Sequence, residues 1–325
     1  MDKSLRNMYR CLSYHPAISD KVRNNECIKL FIGADIEHGD IVQKMHVYEK
    51  NFKVKSDLIF LEEASVDDVK QKISDCDLFI FLYASSTLKN ASPQGPEYLI
   101  KLKRFITESW KKSVLFKDYG YHFIEAFSES QESIAERNKK LIELLKRSQK
   151  IQYTDNKGNS IIGYLDKDHK WTSVDGSGNL DVIPGEIASH IKNLNGSISF
   201  SGTFLSTAPF AIKYGVVNDM MIINIQDGEI IGFDCDNAEF SRDFDLYLNH
   251  NRGNSIVEEF GIGTNTGVKA LYGRNAGFEE RHPGLHLGLG GGIKGSHHLD
   301  LIFSGGKIEF DQTLVFDNGY IGYFS

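Results

Sequence analysis

Hydrophobic and polar residues are arranged differently in the two halves of the chain, and the two patterns predict two kinds of structure. In the first half, short apolar runs at 28–33, 57–61, 77–83 and 113–116 predict strands. The run at 77–83 is apolar on both faces, as in a buried strand of a parallel sheet. Helical patterns separate the strands, so the first half predicts an α/β domain with a mostly parallel sheet.

Three stretches of the first half predict helices. One begins at Ser65, which is the N-cap, with Asp68 in the capping-box position three residues later. Residues 96–109 predict a second helix, with Pro96 in its first turn. Residues 130–149 predict the third helix, and its apolar face is formed by Ile134, Leu141, Leu144 and Leu145.

The pattern changes near residue 150, where strand-like runs begin to alternate with turn clusters, as at 151–164. Further on, the pair Asp227-Gly228 lies between two apolar runs and predicts a hairpin. We therefore place a domain boundary near 148–152. The chain is predicted to form an α/β domain at 1–149 and a β-rich α+β domain at 150–325, the latter binding metal.

Composition and charge narrow the class of protein. Apolar residues make up 41% and charged residues 25% of the chain, as in ordinary globular proteins. The net charge of -7 argues against general binding of nucleic acid. The longest apolar runs are strand-sized and the N-terminus has no apolar signal-peptide core, so we expect no membrane association. The four cysteines lack CxxC spacing, which argues against a thiolate metal site and fits a cytoplasmic protein.

Carboxylates and imidazoles recur between glycines and apolar residues from residue 258 to residue 300. Apolar segments usually exclude such groups unless a partner offsets their burial, and a bound cation is the usual partner of several convergent ones. His298 and Asp300 are two residues apart, so on a strand both side chains can reach one ion. His286 lies in an apolar run whose glycines allow close approach of the backbone.

Each of these residues also has a purely structural interpretation. His286 alone is explained as a core histidine bonded to backbone, and Glu259 as a solvated glutamate. Glu186 follows a Pro-Gly pair and fits an exposed turn. Glu279 and Glu280 fit either carboxylates that orient the metal ligands or a charged loop that includes Arg281.

The order of motifs in the second domain resembles the thermophilic metallo-aminopeptidases of the leucyl aminopeptidase T type. The motifs are Pro184-Gly185-Glu186, Asn195-Gly196, the run from Glu259 to Asn265, Glu279, the run from His286 to Gly290, and His298-Leu299-Asp300. The resemblance covers most of the second domain, and the first domain in outline.

This resemblance implies two divalent metal ions, zinc, cobalt or manganese, in the second domain. Carried over by motif, the metal ligands are Glu186, Glu259, His286, His298 and Asp300. Five ligands fill two coordination spheres only if one carboxylate bridges the ions. The metals would polarise a carbonyl and activate water, while Glu279 or Glu280 would act as general base or orient a ligand imidazole. The expected activity is hydrolysis of an N-terminal residue or a small amide.

The chain departs from the family pattern at Ile293, where classical members have a tyrosine near the metals. It also has only eleven residues between His286 and His298. A related branch with this short loop contains 2,5-dihydroxypyridine 5,6-dioxygenase, which implies one Fe(II) held by His286, His298 and Asp300 as an alternative. A further alternative is a catalytically altered, peptide-binding protein of a biosynthetic pathway. The resemblance also implies a homodimer.

Overall fold

The structure is a computed structural model, and its contacts divide the chain into two compact units. Unit 1 comprises Met1–Glu132 and Val174–Pro184, and unit 2 comprises Ser133–Ser173 and Gly185–Ser325. The domain boundary near 148–152 stays a prediction. In the division by contacts, residues 133–148 belong to unit 2. The residues that the structure describes are 2–48, 53–84, 97–119, 122–165, 168, 170–178, 180–191, 193–206, 210–274 and 277–325.

Unit 1 contains a parallel four-stranded sheet, which confirms the predicted sheet of the first half. Its strands are β1 (Ile28–Ala34), β2 (Val54–Phe60), β3 (Leu78–Tyr83) and β4 (Ser113–Lys117), in the order β2-β1-β3-β4. Its helices are α1 (Asp2–Ser13), α2 (Ser19–Arg23), α3 (Gly39–Tyr48), α4 (Val66–Asp75), α5 (Glu97–Glu108) and α6 (Phe123–Ala126).

Two sequence patterns of unit 1, the apolar run of β3 and the N-cap of α4, are explained by burial and by a hydrogen bond. The side chains of β3 are almost all buried, which explains why its sequence shows no alternation of polar and apolar residues. Ser65 caps α4 as predicted, because its side chain accepts a 3.1 Å hydrogen bond from the backbone N–H of Asp68. Helix α5 begins at Glu97, and Pro96 lies outside the described residues.

Unit 2 is built on a large antiparallel sheet. Its strands are β5 (Lys150–Thr154), β6 (Ser160–Tyr164), β7 (Thr172–Val174), β8 (Glu186–Ser189), β9 (Asn195–Ser206), β10 (Val217–Gln226), β11 (Glu229–Asp234), β12 (Val257–Gly263), β13 (Gly284–Leu289), β14 (Leu299–Phe303), β15 (Lys307–Phe310) and β16 (Thr313–Asp317). The order is β16-β15-β5-β6-β9-β14-β13-β12-β8-β7, and β10 pairs with both β9 and β11. Its helices are α8 (Phe210–Tyr214), α9 (Ala238–His250) and all but the first two residues of α7 (Gln131–Leu145).

The predicted hairpin at Asp227-Gly228 is confirmed. These two residues connect β10 to β11 with φ angles of 50° and 78°, as the primed turns of tight hairpins require. The predicted strands at 151–154 and 160–164 are β5 and β6. The second half of the chain is therefore β-rich, as its sequence pattern indicated.

An aromatic core fixes α9 against the sheet of unit 2. Phe204 of β9 lies 5.7 Å, between ring centroids, from Phe240 of α9, which stacks on Phe244. Phe240, Phe244 and Tyr247 are spaced for one helical face, and all three are buried. Each such ring contributes about 1.5–3 kcal/mol through burial. No helix in the described ranges is long and apolar enough to cross a membrane.

Candidate metal centre

Neighbouring strands of unit 2 bring acidic and imidazole side chains to one face of the sheet. Asp300 of β14 pairs with Gly288 of β13, which pairs in turn with Glu259 of β12. Directly opposed residues of antiparallel strands point to the same face. His286 lies two residues before Gly288 on β13, so its side chain shares that face.

The fourth strand of this group contributes Glu186. Glu186 begins β8 and pairs with Gly263 of β12, four residues after Glu259. Residues separated by an even number along a strand share a face, so Glu186 and Glu259 point the same way. Between them Gly261 pairs with His286. The strand order β14-β13-β12-β8 therefore brings together predicted ligands that lie more than one hundred residues apart in sequence.

Glycines provide the space in which these side chains meet. A Cβ atom on Gly261 would overlap the imidazole ring of His286. A Cβ atom on Gly288 would lie 2.9 Å from Cε1 of His298 and 3.0 Å from Oδ1 of Asp300, closer than carbon atoms normally pack. The glycines of this face are thus required for close approach of the functional groups.

The five predicted ligands form two groups. In the first, Nε2 of His286 lies 3.0 Å from Oε1 of Glu186 and 3.2 Å from Oε1 of Glu259. In the second, Nε2 of His298 lies 2.9 Å from Oδ1 of Asp300. The His286 side chain is 1% exposed and that of His298 is 46% exposed, so the cluster is open to solvent at its second group.

The backbone next to His298 is held by residues that sequence analysis missed. The hydroxyl of Tyr247 donates a 2.6 Å hydrogen bond to the carbonyl of His297. The N–H of His297 donates to Oδ1 of Asn254 at 2.8 Å, and the amide of Asn254 donates to the carbonyl of Tyr247. His298 also has its Nδ1 3.3 Å from the carbonyl oxygen of Gly290, which orients Nε2 toward Asp300.

Helix α7 anchors the strand that carries Glu186. The amide of Asn138 donates a 3.0 Å hydrogen bond to the carbonyl of Glu186. The neighbouring Arg137 is buried and donates to the carbonyl of Thr264 at 2.6 Å, directly after β12. The sequence analysis did not single out Asn138, because the partner of this contact lies 48 residues away.

A buried cation also belongs to this cluster. The guanidinium of Arg281 forms a close ion pair with Glu186 and a 3.0 Å ion pair with Glu280. The Arg281 side chain is only 4% exposed. The sequence had offered a charged loop as one interpretation of this segment, whereas the structure buries the arginine among carboxylates.

The two candidate general bases have different surroundings. The carboxylate of Glu279 is fully buried and accepts hydrogen bonds from the backbone N–H groups of Tyr272, Gly273 and Arg274. Glu279 therefore holds the loop at 272–274. Glu280 instead lies near the predicted ligand Glu186, because both carboxylates form ion pairs with Arg281.

The charges of the cluster shift its pKa values. Burial acts to raise the pKa of Glu186, but Arg281 and His286 outweigh it and lower that pKa to about 2. Burial raises the pKa of Glu280 to about 8, against the opposing effect of Arg281. The hydrogen bond to Asp300 raises the pKa of His298 to about 9. Glu186 therefore stays ionised at neutral pH and attracts cations.

The donor set fits a divalent cation. Glu186, Glu280 and His286 each offer one ligand atom, and these atoms lie within 4.8 Å of one another. Oxygen and imidazole donors of this kind suit zinc, manganese and iron. Glu280 therefore lies close to the donor atoms of Glu186 and His286, a position that the sequence did not assign to it. Within the described residues, Nδ1 of His286 is buried without a hydrogen-bond partner, whereas metal-bound histidines usually have one there.

Comparison with known proteins shows the fold. Residues 216–311 match the family model described as crocagin biosynthetic protein CgnE/B. The structure is similar to 2,5-dihydroxypyridine dioxygenase from Pseudomonas putida KT2440, with a TM-score of 0.57 at 13% identity over 98% of both chains. It is also similar to wild-type AmpT from Thermus thermophilus, with a TM-score of 0.57 at 12% identity over 97% of this chain and 100% of that chain. No curated protein sequence matches.

These similarities confirm, at the level of fold, the relationship to both branches that the sequence motifs implied. Identities of 12% and 13% carry no statement about the reaction or the metal. The family match covers β10 to β15 and therefore includes four of the five predicted ligands, with Glu186 outside it.

Proposed function

We propose that unit 2 is a metal-dependent hydrolase that removes an N-terminal residue from a peptide or cleaves a small amide. The convergence of Glu186, Glu259, His286 and Asp300 on one sheet face supports this proposal most directly. Buried carboxylates and imidazoles are costly unless a partner compensates them, and a divalent ion does so.

In such a hydrolase, the residues of the cluster would have two roles, metal binding and proton transfer. Glu186, Glu259 and His286 would hold the ion from the buried side, while His298 and Asp300 would complete the centre at its exposed side. A bound divalent ion polarises a carbonyl and lowers the pKa of water. Glu280 would accept the proton of the attacking water and return it to the leaving amine.

The test combines metal content with anaerobic activity. The chain, purified without chelator under nitrogen, is expected to contain zinc, cobalt or manganese and to release amine from aminoacyl anilides or peptides. Asp300→Ala and His298→Ala should lose both metal and activity. The matched control is Asp236→Ala, because this aspartate is exposed between β11 and α9, outside the strands that carry the predicted ligands. Full activity of Asp300→Ala would refute the proposal, and about one iron with oxygen consumption would favour the dioxygenase alternative.

A second candidate function is capture of a peptide within a biosynthetic pathway, without cleavage. Two observations favour it, namely the match of residues 216–311 to crocagin biosynthetic proteins and the presence of Arg281 as a built-in counter-charge. This function predicts retention of a peptide that stays intact over hours, on protein free of metal. The homodimer implied by the sequence resemblance belongs to both proposals, and light scattering on the eluting protein tests it.

A further inference from the structure

We infer that Arg281 supplies the positive charge that a second metal ion would otherwise supply, so that the centre takes a single divalent ion. This inference rests on the proposed metal centre and concerns the number of ions that it binds. It replaces the pair of ions implied by the sequence resemblance with one ion and one guanidinium.

The first argument is that the two carboxylate oxygens of Glu186 have different partners. One oxygen, Oε2, forms the close ion pair with Arg281, and the other, Oε1, lies 3.0 Å from Nε2 of His286. In the common bridging mode, a carboxylate binds one metal ion through each of its two oxygens. With Oε2 committed to the guanidinium, Glu186 has one oxygen left for a metal and cannot bridge a pair in this mode.

The second argument concerns Glu280, the other carboxylate that contacts this guanidinium. Glu280 and Glu186 are bound to the same nitrogen atom of Arg281, so the arginine occupies the position between the two carboxylates. An arginine cannot lose its proton in a protein, so this charge is present at every working pH. A divalent ion between the same two carboxylates would meet a fixed positive charge at contact distance.

The third argument is that the fold holds Arg281 in place. Its carbonyl accepts a 3.0 Å hydrogen bond from the N–H of Asn265, and its own N–H donates to the carbonyl of Phe278 at 3.0 Å. The side chain is almost completely buried. Removal of such a cation leaves two buried carboxylates without compensation, and a metal ion is the compensation that remains.

One ion can still be held. Oε1 of Glu186 and Oε1 of Glu259 both lie within hydrogen-bond distance of Nε2 of His286. Such spacing matches donor atoms that surround one ion. These three residues are therefore expected to hold the single ion from the buried side, and His298 and Asp300 to complete its coordination.

The experiment measures the number of zinc ions per chain. The full chain is stripped with chelator, titrated with zinc chloride in a calorimeter, and analysed by mass spectrometry for zinc after desalting. We expect about one ion for the wild type and about two for Arg281→Met, because the variant frees both carboxylates. Arg242→Met is the matched control, since this arginine of unit 2 is largely exposed, and about one ion is expected.

Two further measurements keep the test decisive if Arg281→Met does not fold. Arg281→Lys retains the charge and should bind about one ion, and the wild-type titration stands by itself. About two ions on the wild type, or equal numbers on the wild type and Arg281→Met, would overturn the inference and leave the hydrolase proposal intact. Binding to neither protein would overturn the metal centre itself.

Discussion

Tyr247 of α9 donates a 2.6 Å hydrogen bond to the carbonyl oxygen of His297, the residue before the candidate ligand His298. The helix that carries Tyr247 packs on the aromatic core of unit 2, so this bond connects the segment of a candidate ligand to that core. Asn254 completes the connection from the other side of the same peptide. The position of His298 is therefore set by residues that do not approach the ion.

Removal of this bond should weaken the metal centre without unfolding the protein. Tyr247→Phe keeps the buried ring and loses only the hydroxyl, so zinc affinity should fall about 10-fold to 100-fold, as for other groups that orient a metal ligand. Calorimetric titration with zinc measures it. Tyr164→Phe is the control, because Tyr164 is exposed on β6. An unchanged zinc affinity in Tyr247→Phe would contradict a positioning role.

Gly288→Ala should abolish metal binding. The added Cβ atom would lie 2.9 Å from Cε1 of His298 and 3.0 Å from Oδ1 of Asp300, so both side chains must move. The forced shift should also cost about 1–3 kcal/mol of unfolding free energy, as overpacking usually does. Zinc titration and urea unfolding of the metal-free protein measure the two effects.

Gly232→Ala is the control for this substitution. Gly232 lies on β11 of the same sheet, and a Cβ atom there would meet nothing within 4 Å. Zinc binding by Gly232→Ala should match that of the wild type. Gly288→Ala protein that binds zinc normally would show that the ligands do not converge over this glycine.

Glu279→Gln and Glu280→Gln should separate stability from activity. Glu279 accepts three backbone hydrogen bonds as a buried carboxylate, so its neutralisation should lower the unfolding free energy by about 2–3 kcal/mol. The folded fraction should keep its activity per bound metal. Glu280→Gln should retain most stability and lose activity at least about 100-fold, as expected for a general base.

Urea unfolding and single-substrate kinetics on the same preparations distinguish the two residues. Asp311→Asn and Glu309→Gln provide matched carboxylate controls away from the cluster, on and beside β15. Loss of activity in Glu279→Gln with normal stability would reverse the assignment of the two glutamates.

The cysteines of unit 1 should differ in their reactivity with pH. Burial raises the pKa of the Cys11 thiol to about 12 and that of Cys76 to about 11, so both stay protonated below these values. The thiolate is the reactive form, and Cys27 is exposed. At pH 8.5, iodoacetamide should therefore modify Cys27 in the folded protein and leave Cys11 and Cys76 unmodified.

Mass spectrometry of the peptides after native labelling measures this difference. In about 6 M guanidinium chloride all three cysteines should react alike, because unfolding restores an ordinary pKa near 8.5. Rapid native modification of Cys11 would contradict the burial of α1 in unit 1.

The sequence predicted the features that depend on neighbouring residues. The apolar run of β3, the Ser65 cap and the hairpin at Asp227 each need only a few residues to be recognised, and all three are present. The pairing of His298 with Asp300 also follows from strand periodicity alone. Local patterns were sufficient wherever a contact spans a few positions.

The features that were missed depend on strand order. Arg281 meets Glu186 across 95 residues because β8 lies beside β12, and no local pattern encodes that neighbour. Tyr247 of α9 meets His297 across 50 residues, and no local pattern encodes this contact between a helix and a loop either. Helix α9 did leave a signal, since Phe240, Phe244 and Tyr247 recur at helical spacing, although no helix was predicted there.

The position of the strands that carry the candidate ligands should affect the rate at which their backbone amides exchange hydrogen. β12, β13 and β14 each have a neighbouring strand on both sides, so the backbone hydrogens beneath the cluster can exchange with deuterated water only when the sheet opens. We expect these amides to be among the slowest to exchange in the chain, with or without an ion. A centre on such a frame loses and regains its ion without rearranging its backbone, so repeated cycles of chelation and reloading should return the same site.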